Sequence, residues 1–408
     1  MAEDRDVRAD LLHDGPQWLM AIITLTPDEM RARNTLKWTR YAPDVLPLWV
    51  AEMDIRTCPA VQDAIASAVG RQTYGYPSGD SRLAEATADW CARRYAWQVD
   101  PGLVHAVPDV LVGVRAAIDH FTTPGSPIVL PVPAYMPFFD VLDVCGRRGV
   151  FTSMLVEDCP DGGTAHRFDL AAIEAAFAAG AGGIILCNPY NPLGAVFPAW
   201  HLAEVCELAA RYGARVVSDE IHAPLVYGRR HIPTASVSRA AAEVTVTVLA
   251  SSKGFNTPGL KCAQVVLSND ADARRWSQVH RMRYEGVSTL GVEASVAAYR
   301  DGAEWLDELL VFLAGNRDHL ARTLPEVVPG LRWAPPQATF LAWLDFSGVA
   351  ALGGADPSAW LLERAKVFLN PGPAFGPGGQ HHARLNFGTS RDILEEFVSR
   401  LGGAVGSR

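Results

Sequence analysis

The sequence lacks most of the features that would mark a membrane, nucleic-acid or metal protein. No run of 18 apolar residues occurs in its 408 positions, so no segment reads as a membrane span. The Met1–Asp6 start mixes charges and has no basic n-region, and the apolar patch Trp18–Ile23 is too short and badly flanked for a signal peptide. No basic stripe is present and the net charge is −9, which argues against nucleic acid as the main partner. The seven cysteines, Cys58, Cys91, Cys145, Cys159, Cys187, Cys206 and Cys262, are odd in number and scattered, with no C-x-x-C pair. That spacing indicates neither a disulfide framework nor a zinc knuckle, and a reducing cytoplasm fits it best. His381 and His382 have no Cys or Glu at ligand spacing, so no metal site is expected. There is no internal repeat.

What is present is the composition of a globular, enzyme-sized chain: 49% hydrophobic, 20% charged, with 28 Pro and 35 Gly. Its length suits two domains, and the negative charge without a basic stripe makes a small-molecule substrate the plainer expectation. Residues 1–33 form an N-terminal extension, either partly disordered or an arm on a neighbouring subunit. Val45–Asp54 reads as an extended segment, apolar and then acidic, and Pro59–Val69 as a helix with Val61, Ile65 and Val69 on one face. A turn-rich loop, Tyr74–Asp80, precedes an amphipathic helix over about Ser81–Tyr95. From Leu103 to about Leu290 strands alternate with helices such as Ala171–Ala179 and His201–Tyr212. The strands are Val104–Val107, Ser126–Leu130, Val150–Met154, Gly183–Cys187, Arg215–Ser218, Val244–Leu249 and Gln264–Leu267. This predicts an α/β fold, a mostly parallel seven-stranded sheet between helices, with sites at the C-terminal strand ends. Helix then continues to about Leu324. An α+β segment follows, with strands near Ala338–Leu344 and Ala383–Asn386, a helix near Pro357–Lys366 and a sharply turning Pro371–Gly379 loop. The expected division is residues 34–73 and 291–408 in a smaller α+β domain and 74–290 in the large one.

The strand ends carry the chemistry. The β-branched run Val244–Ala250 leads into Ser251-Ser252-Lys253-Gly254-Phe255-Asn256 and on to Lys261. A lysine there is either a solvated loop residue or an amine that forms a Schiff base with a carbonyl cofactor, with the hydroxyls and a second cation holding that cofactor's phosphate. Asp219, after Arg215–Ser218, either caps a helix or pairs with a pyridinium nitrogen. Asn191, in the Pro/Gly-locked loop after Gly183–Cys187, serves the turn or donates to a phenolate oxygen. Tyr135 is a core or loop tyrosine, or stacks on a flat heterocycle. Asp109 marks a helix start, whose free N–H groups suit a phosphate. Arg384 is a structural ion-pair partner or a fork for an α-carboxylate.

In this order, Asn-Pro-x-Gly, Asp-Glu-x-His, Ser-Lys-x-Phe-Asn-x-x-Gly-Leu and Arg-Leu-Asn-Phe-Gly resemble the fold-type I, class I/II aminotransferase superfamily of pyridoxal 5′-phosphate (PLP) enzymes, over about residues 34–400. Lys37-Trp38, Leu46–Asp54 and Ser218–His222 resemble its MalY/PatB branch, whose members are cystathionine β-lyases and cysteine-S-conjugate β-lyases. The resemblance implies that Lys253 binds PLP covalently and acts as the proton-transfer base. It implies Asp219 on the pyridine nitrogen, Asn191 and His222 near the phenolic oxygen and Tyr135 on the ring. Ser252, Lys261 and the backbone N–H groups of Asp109 and Val110 would hold the phosphate. Tyr76 would reach the phosphate of the neighbouring subunit's cofactor, implying a homodimer with sites at its interface. Arg384, with Asn191 and the backbone near Ala51, would bind the substrate carboxylate. The chain departs from the family pattern at Lys261, commonly arginine, at Asp109, commonly a small residue, and at Glu52, where the branch has Asp.

The expected function is a PLP-dependent lyase that cleaves a cysteine thioether to thiol, pyruvate and ammonia. An aminotransferase using the same residues, another PLP reaction in a natural-product pathway, and a regulator using the fold to bind partners are the alternatives.

Overall fold

The computed structural model describes residues 22–158 and 164–406. Its main sheet is built from Val104–Val107 (β1), Ile128–Val132 (β2), Gly149–Asp158 (β3), Thr164–Phe168 (β4), Gly183–Cys187 (β5), Arg215–Asp219 (β6), Thr245–Leu249 (β7) and Ala263–Val266 (β8). The spatial order is β1-β8-β7-β6-β5-β2-β3-β4. Strand β8 runs antiparallel to both its neighbours, and β4 antiparallel to β3; the other pairings are parallel. The sheet thus has eight strands, one more than the sequence led us to expect. The additional strand, β4, is a polar edge strand containing His166 and Arg167, so it has no apolar run to announce it. Strands β2, β5 and β7 are buried along their whole length, which is why they read as continuous apolar or β-branched runs.

The helix Val110–Phe121 lies close against β7. At Gly113 an added Cβ would stand 2.7 Å from Val248 Cγ1, so only glycine allows this approach. The helix therefore begins beside the strand ends where β5, β6 and β7 deliver their loops. A hydrophobic core centred on the large sheet includes Val114, Ile128, Ile185, Val217 and Val246.

A second core joins chain segments far apart in sequence. It takes in Leu48 and Met53 from the N-terminal segment, Trp90 from the helix Arg82–Tyr95, and Leu309, Leu341, Leu385 and Phe397 from the C-terminal region. There Leu341–Asp345 pairs antiparallel with His382–Asn386, which also pairs with Asn370–Pro371. Leu46–Pro47 pairs parallel with Val367–Phe368, carrying the following residues over the main sheet's strand ends. The helical stretch after Leu290 is two helices, Thr289–Asp301 and Ala303–Val327, separated at Gly302, where a Cβ would meet the Phe255 ring at 2.4 Å.

Of the expected extension 1–33, residues 1–21 lie outside the described residues. Residues 22–33 pack onto their own chain. Thr26 and Glu29 form a capping box at the start of the helix Pro27–Ala32, Leu25 and Met30 are buried, and Leu25 N donates to Asp54 O at 3.0 Å.

Candidate active site

A cavity of 170 Å³ opens at the strand ends. Ala51, Asp109, Val110, Tyr135, Asn191, Asp219, His222, Ser252, Lys253 and Lys261 all line it. Arg384 adjoins it through Asn191, to whose Oδ1 its Nη1 donates at 3.0 Å. Tyr76 stands elsewhere, 97% exposed. A larger groove of 1080 Å³ lies behind the lysine loop, lined by residues such as Arg33, Gln62 and Trp305. None of Lys253, Asp219 and Arg384 faces that groove.

Lys253 follows β7, and its Nζ donates to Ala51 O at 2.8 Å. Burial lowers its proton affinity to a pKa of about 8; the Arg384 charge adds to this, while Glu52 and Asp219 oppose it. Asp219 ends β6 and is 2% exposed. Burial raises its pKa to about 7, and the Glu220 charge adds to the rise; the Ile221 amide, which donates to Oδ1 at 3.0 Å, and Lys253 oppose it. Such a carboxylate lacks a close cationic partner and is well prepared to receive one. His222 is held neutral by burial and by the charges of Lys253 and Arg384, and its buried Nδ1 has no partner. Burial likewise raises the Tyr135 hydroxyl.

Asp109 caps the helix Val110–Phe121, its Oδ1 accepting from Val112 N at 2.9 Å. Its Oδ2 takes Lys261 Nζ at 2.8 Å. The first N–H groups of the helix have no intrahelical acceptor, as at any helix start. Arg384 is 2% exposed and lies over the Phe375 ring at 5.0 Å. Its Nη2 donates to Trp49 O at 3.1 Å, and its Nε is buried without a partner. Burial lowers its pKa to about 10, so it stays charged at neutral pH.

Several residues that sequence reasoning missed hold the irregular segment Trp49–Asp54. Asn370 Nδ2 donates to Trp49 O at 2.7 Å; Asn386 Nδ2 donates to Val50 O at 2.5 Å and to Glu52 O at 2.7 Å. Asn256 brackets Met53, accepting from its N–H at 2.9 Å and donating to its C=O at 2.8 Å. Buried Lys37 reaches Glu52 O at 3.0 Å and Asp54 Oδ2 at 2.8 Å, and Trp38 Nε1 donates to Asp54 Oδ1 at 2.8 Å. Every carbonyl from Trp49 to Met53 is thus engaged by a side chain, Ala51 O by Lys253 itself. Lys37 and Trp38, Asn256 and Asn386 stand inside motifs that carry the family resemblance, but nothing in the sequence assigns them this role, and Asn370 stands in none of them. Glu220 turns away from the cavity into a buried network with Ser218 and Thr234 N at 2.8 Å and His231 Nε2 at 2.7 Å.

The family model "Aminotransferase class I and II" matches residues 43–401. The chain belongs to that family, in the fold-type I arrangement. It is 45% identical to the cystathionine β-lyase of Corynebacterium glutamicum, covering 93% of this chain and 98% of that one. It is 32% identical to the cystathionine β-lyase PatB of Bacillus subtilis, covering 93% and 98%. A crystal structure from Corynebacterium diphtheriae, assigned as a PLP-dependent β-cystathionase, matches with a TM-score of 0.89 at 45% identity, covering 95% of this chain and all of that one.

Proposed function

We propose that the protein is a PLP-dependent carbon–sulfur β-lyase that converts a cysteine thioether, such as cystathionine, and water into a thiol, pyruvate and ammonia. The observation that carries this reading is the Lys253 amine, its proton affinity lowered, in the same cavity as the buried carboxylate of Asp219. The β-lyase identity of relatives at 45% and 32% supports the choice of reaction. The donor set fits the cofactor: an amine for its carbonyl, a carboxylate poised for a ring cation, an unpartnered His222 Nδ1, and a helix start beside Lys261 for its phosphate.

In this reading Lys253 holds PLP covalently, Asp219 pairs with the ring nitrogen, Asn191 and His222 attend the phenolic oxygen, and Tyr135 stacks on the ring. Ser252, Lys261 and the N–H groups of Asp109 and Val110 hold the phosphate. Bound there, the cofactor supplies an electron sink conjugated to the substrate amine. Arg384 and Asn191, with the backbone at Ala51, orient the α-carboxylate. The freed Lys253 Nζ would then take the Cα proton; its pKa, lowered to about 8, leaves a larger neutral fraction near neutral pH than an ordinary lysine has. Loss of the thiolate from Cβ completes the elimination.

The same proposal takes residues 74–290 as the large domain and 34–73 with 291–408 as the small one. It takes the assembly as a homodimer in which Tyr76 serves the neighbouring site, supported by the exposure of Tyr76 outside its own cavity. A cytoplasmic setting accords with the six unpaired cysteines among the described residues. Among the described residues no helix is long and apolar enough to cross a membrane. The family match also favours a second reading, an aminotransferase. Incubation of the purified protein with PLP and L-cystathionine, without any 2-oxo acid, separates the two. Equal yields of pyruvate, thiol and ammonia support the lyase. A PLP-loaded protein that turns over only when a 2-oxo acid is added is an aminotransferase.

A further inference from the structure

We propose that Asp109 is an internal counterion for Lys261 and lowers the affinity of the site for the cofactor's phosphate. The proposal rests on the PLP reading above.

Among the described residues, Lys253 and Lys261 are the only lysine or arginine side chains lining the cavity, and the PLP reading commits Lys253 to the cofactor's carbonyl. The cation left for a phosphate, Lys261, is already paired with Asp109 at 2.8 Å. Its backbone is fixed, in the left-handed region at φ 51°, with its carbonyl accepting from Ser288 N at 3.0 Å. The carboxylate is fixed as well, because its other oxygen caps the helix at Val112 N. The pair is part-exposed, with side chains 56% and 33% accessible, so an arriving anion readily shares or stretches it. The carboxylate, however, stays where the cap holds it. A phosphate at this helix start therefore meets one cation and one fixed anion, and the favourable helix end must offset the repulsion.

The test uses the full-length protein stripped of cofactor and titrated with PLP and, separately, with pyridoxal, which has no phosphate. Imine absorbance reports binding without reference to turnover. Asp109→Ser and Asp109→Asn both retain an N-cap acceptor, so the pair isolates the charge. Both variants should bind PLP about tenfold tighter, with pyridoxal affinity unchanged. Lys261→Met should weaken PLP binding more in the D109S background than in the wild type. PLP affinity that stays the same or falls in both variants overturns the proposal, and so does an equal gain for pyridoxal, which would place the effect away from the phosphate. A wild-type chain that forms no imine with either aldehyde would instead remove the PLP reading, and this proposal with it.

Discussion

Replacing Asn256 should loosen the Trp49–Asp54 segment and lower activity without touching any group that contacts substrate. The Asn256 carboxamide makes two hydrogen bonds, at 2.9 and 2.8 Å, to the N–H and C=O of Met53, a residue with no solvent exposure. Each is worth about 1 kcal/mol net, and a buried backbone group left unsatisfied costs about 1–3 kcal/mol, so losing both should destabilise by about 2–4 kcal/mol. Asn256 also has φ 57°, which glycine adopts freely and alanine does not. Asn256→Gly should therefore show the side-chain loss alone, and Asn256→Ala about 1 kcal/mol more. Urea unfolding of the cofactor-free chain should rank the proteins wild type, Gly variant, Ala variant. Cystathionine turnover should fall in kcat more than KM rises, because the Ala51 carbonyl no longer holds its place 2.8 Å from Lys253 Nζ. Two variants within about 0.5 kcal/mol of wild type would refute the bracket, since surface changes stay within that range. Equal losses in the Gly and Ala variants would refute the backbone half of the reasoning.

Lys253→Ala should abolish both turnover and the covalent cofactor link, seen as loss of imine absorbance; retained lyase activity would sink its assignment as the base. Asp219 makes stability depend on pH in a definite direction. Its folded pKa of about 7 lies above the ordinary 3.8, so the folded state holds the extra proton, and that stabilisation is complete below 3.8 and lost as pH rises through about 7. The melting temperature of the cofactor-free protein should fall across that window, and Asp219→Asn should flatten the slope; an unchanged slope would contradict the assignment. Arg384→Lys keeps the charge but cannot serve Asn191 Oδ1, Trp49 O and a carboxylate together. Its kcat/KM for cystathionine should fall about 100-fold, mostly through KM, and a loss below about threefold would argue against a fork on the carboxylate.

The sequence made the strand-end residues legible because each sits a few positions after an apolar run, and a parallel sheet carries such positions to one edge. Lys253, Asp219, Asn191 and Tyr135 meet in one cavity for that reason. Asn256 and Asn386 stand in motifs too, but the partners of the contacts that organise the site were invisible for the opposite reason. Asn256 reaches Met53 across 203 positions, Asn370 reaches Trp49 across 321, and Asn386 reaches Glu52 across 334. An asparagine that binds a distant backbone leaves no periodic mark and looks like any turn residue. The Asp109–Lys261 pair spans 152 positions. Read alone, Asp109 signalled only a helix start, and the structure adds that the same carboxylate both caps the helix and holds the lysine. Strand β4 was missed because an edge strand need not be apolar.

These long-range contacts also explain why the site can be polar and still hold its shape. The segment over the strand ends has little ladder of its own, so its carbonyls must find donors elsewhere. Amides from Asn256, Asn370 and Asn386 supply most of them, the other side-chain donors are Lys37, Lys253 and Arg384, and the Glu52 N–H adds one backbone bond to Val50 O. The last two are the groups that the proposed reaction recruits. Arg384 spends its Nη1 and Nη2 on Asn191 and Trp49, and its Nε is buried without an acceptor. An unpaired buried donor on a cation is costly, and in the proposed reaction the substrate carboxylate would relieve it. Lys253 Nζ likewise rests on Ala51 O, and in the proposed reaction this carbonyl would be the acceptor to which the released amine returns. The three asparagines hold the segment that carries both carbonyl acceptors, Trp49 O and Ala51 O. Loosening any one of them should therefore impair catalysis even though none lines the cavity.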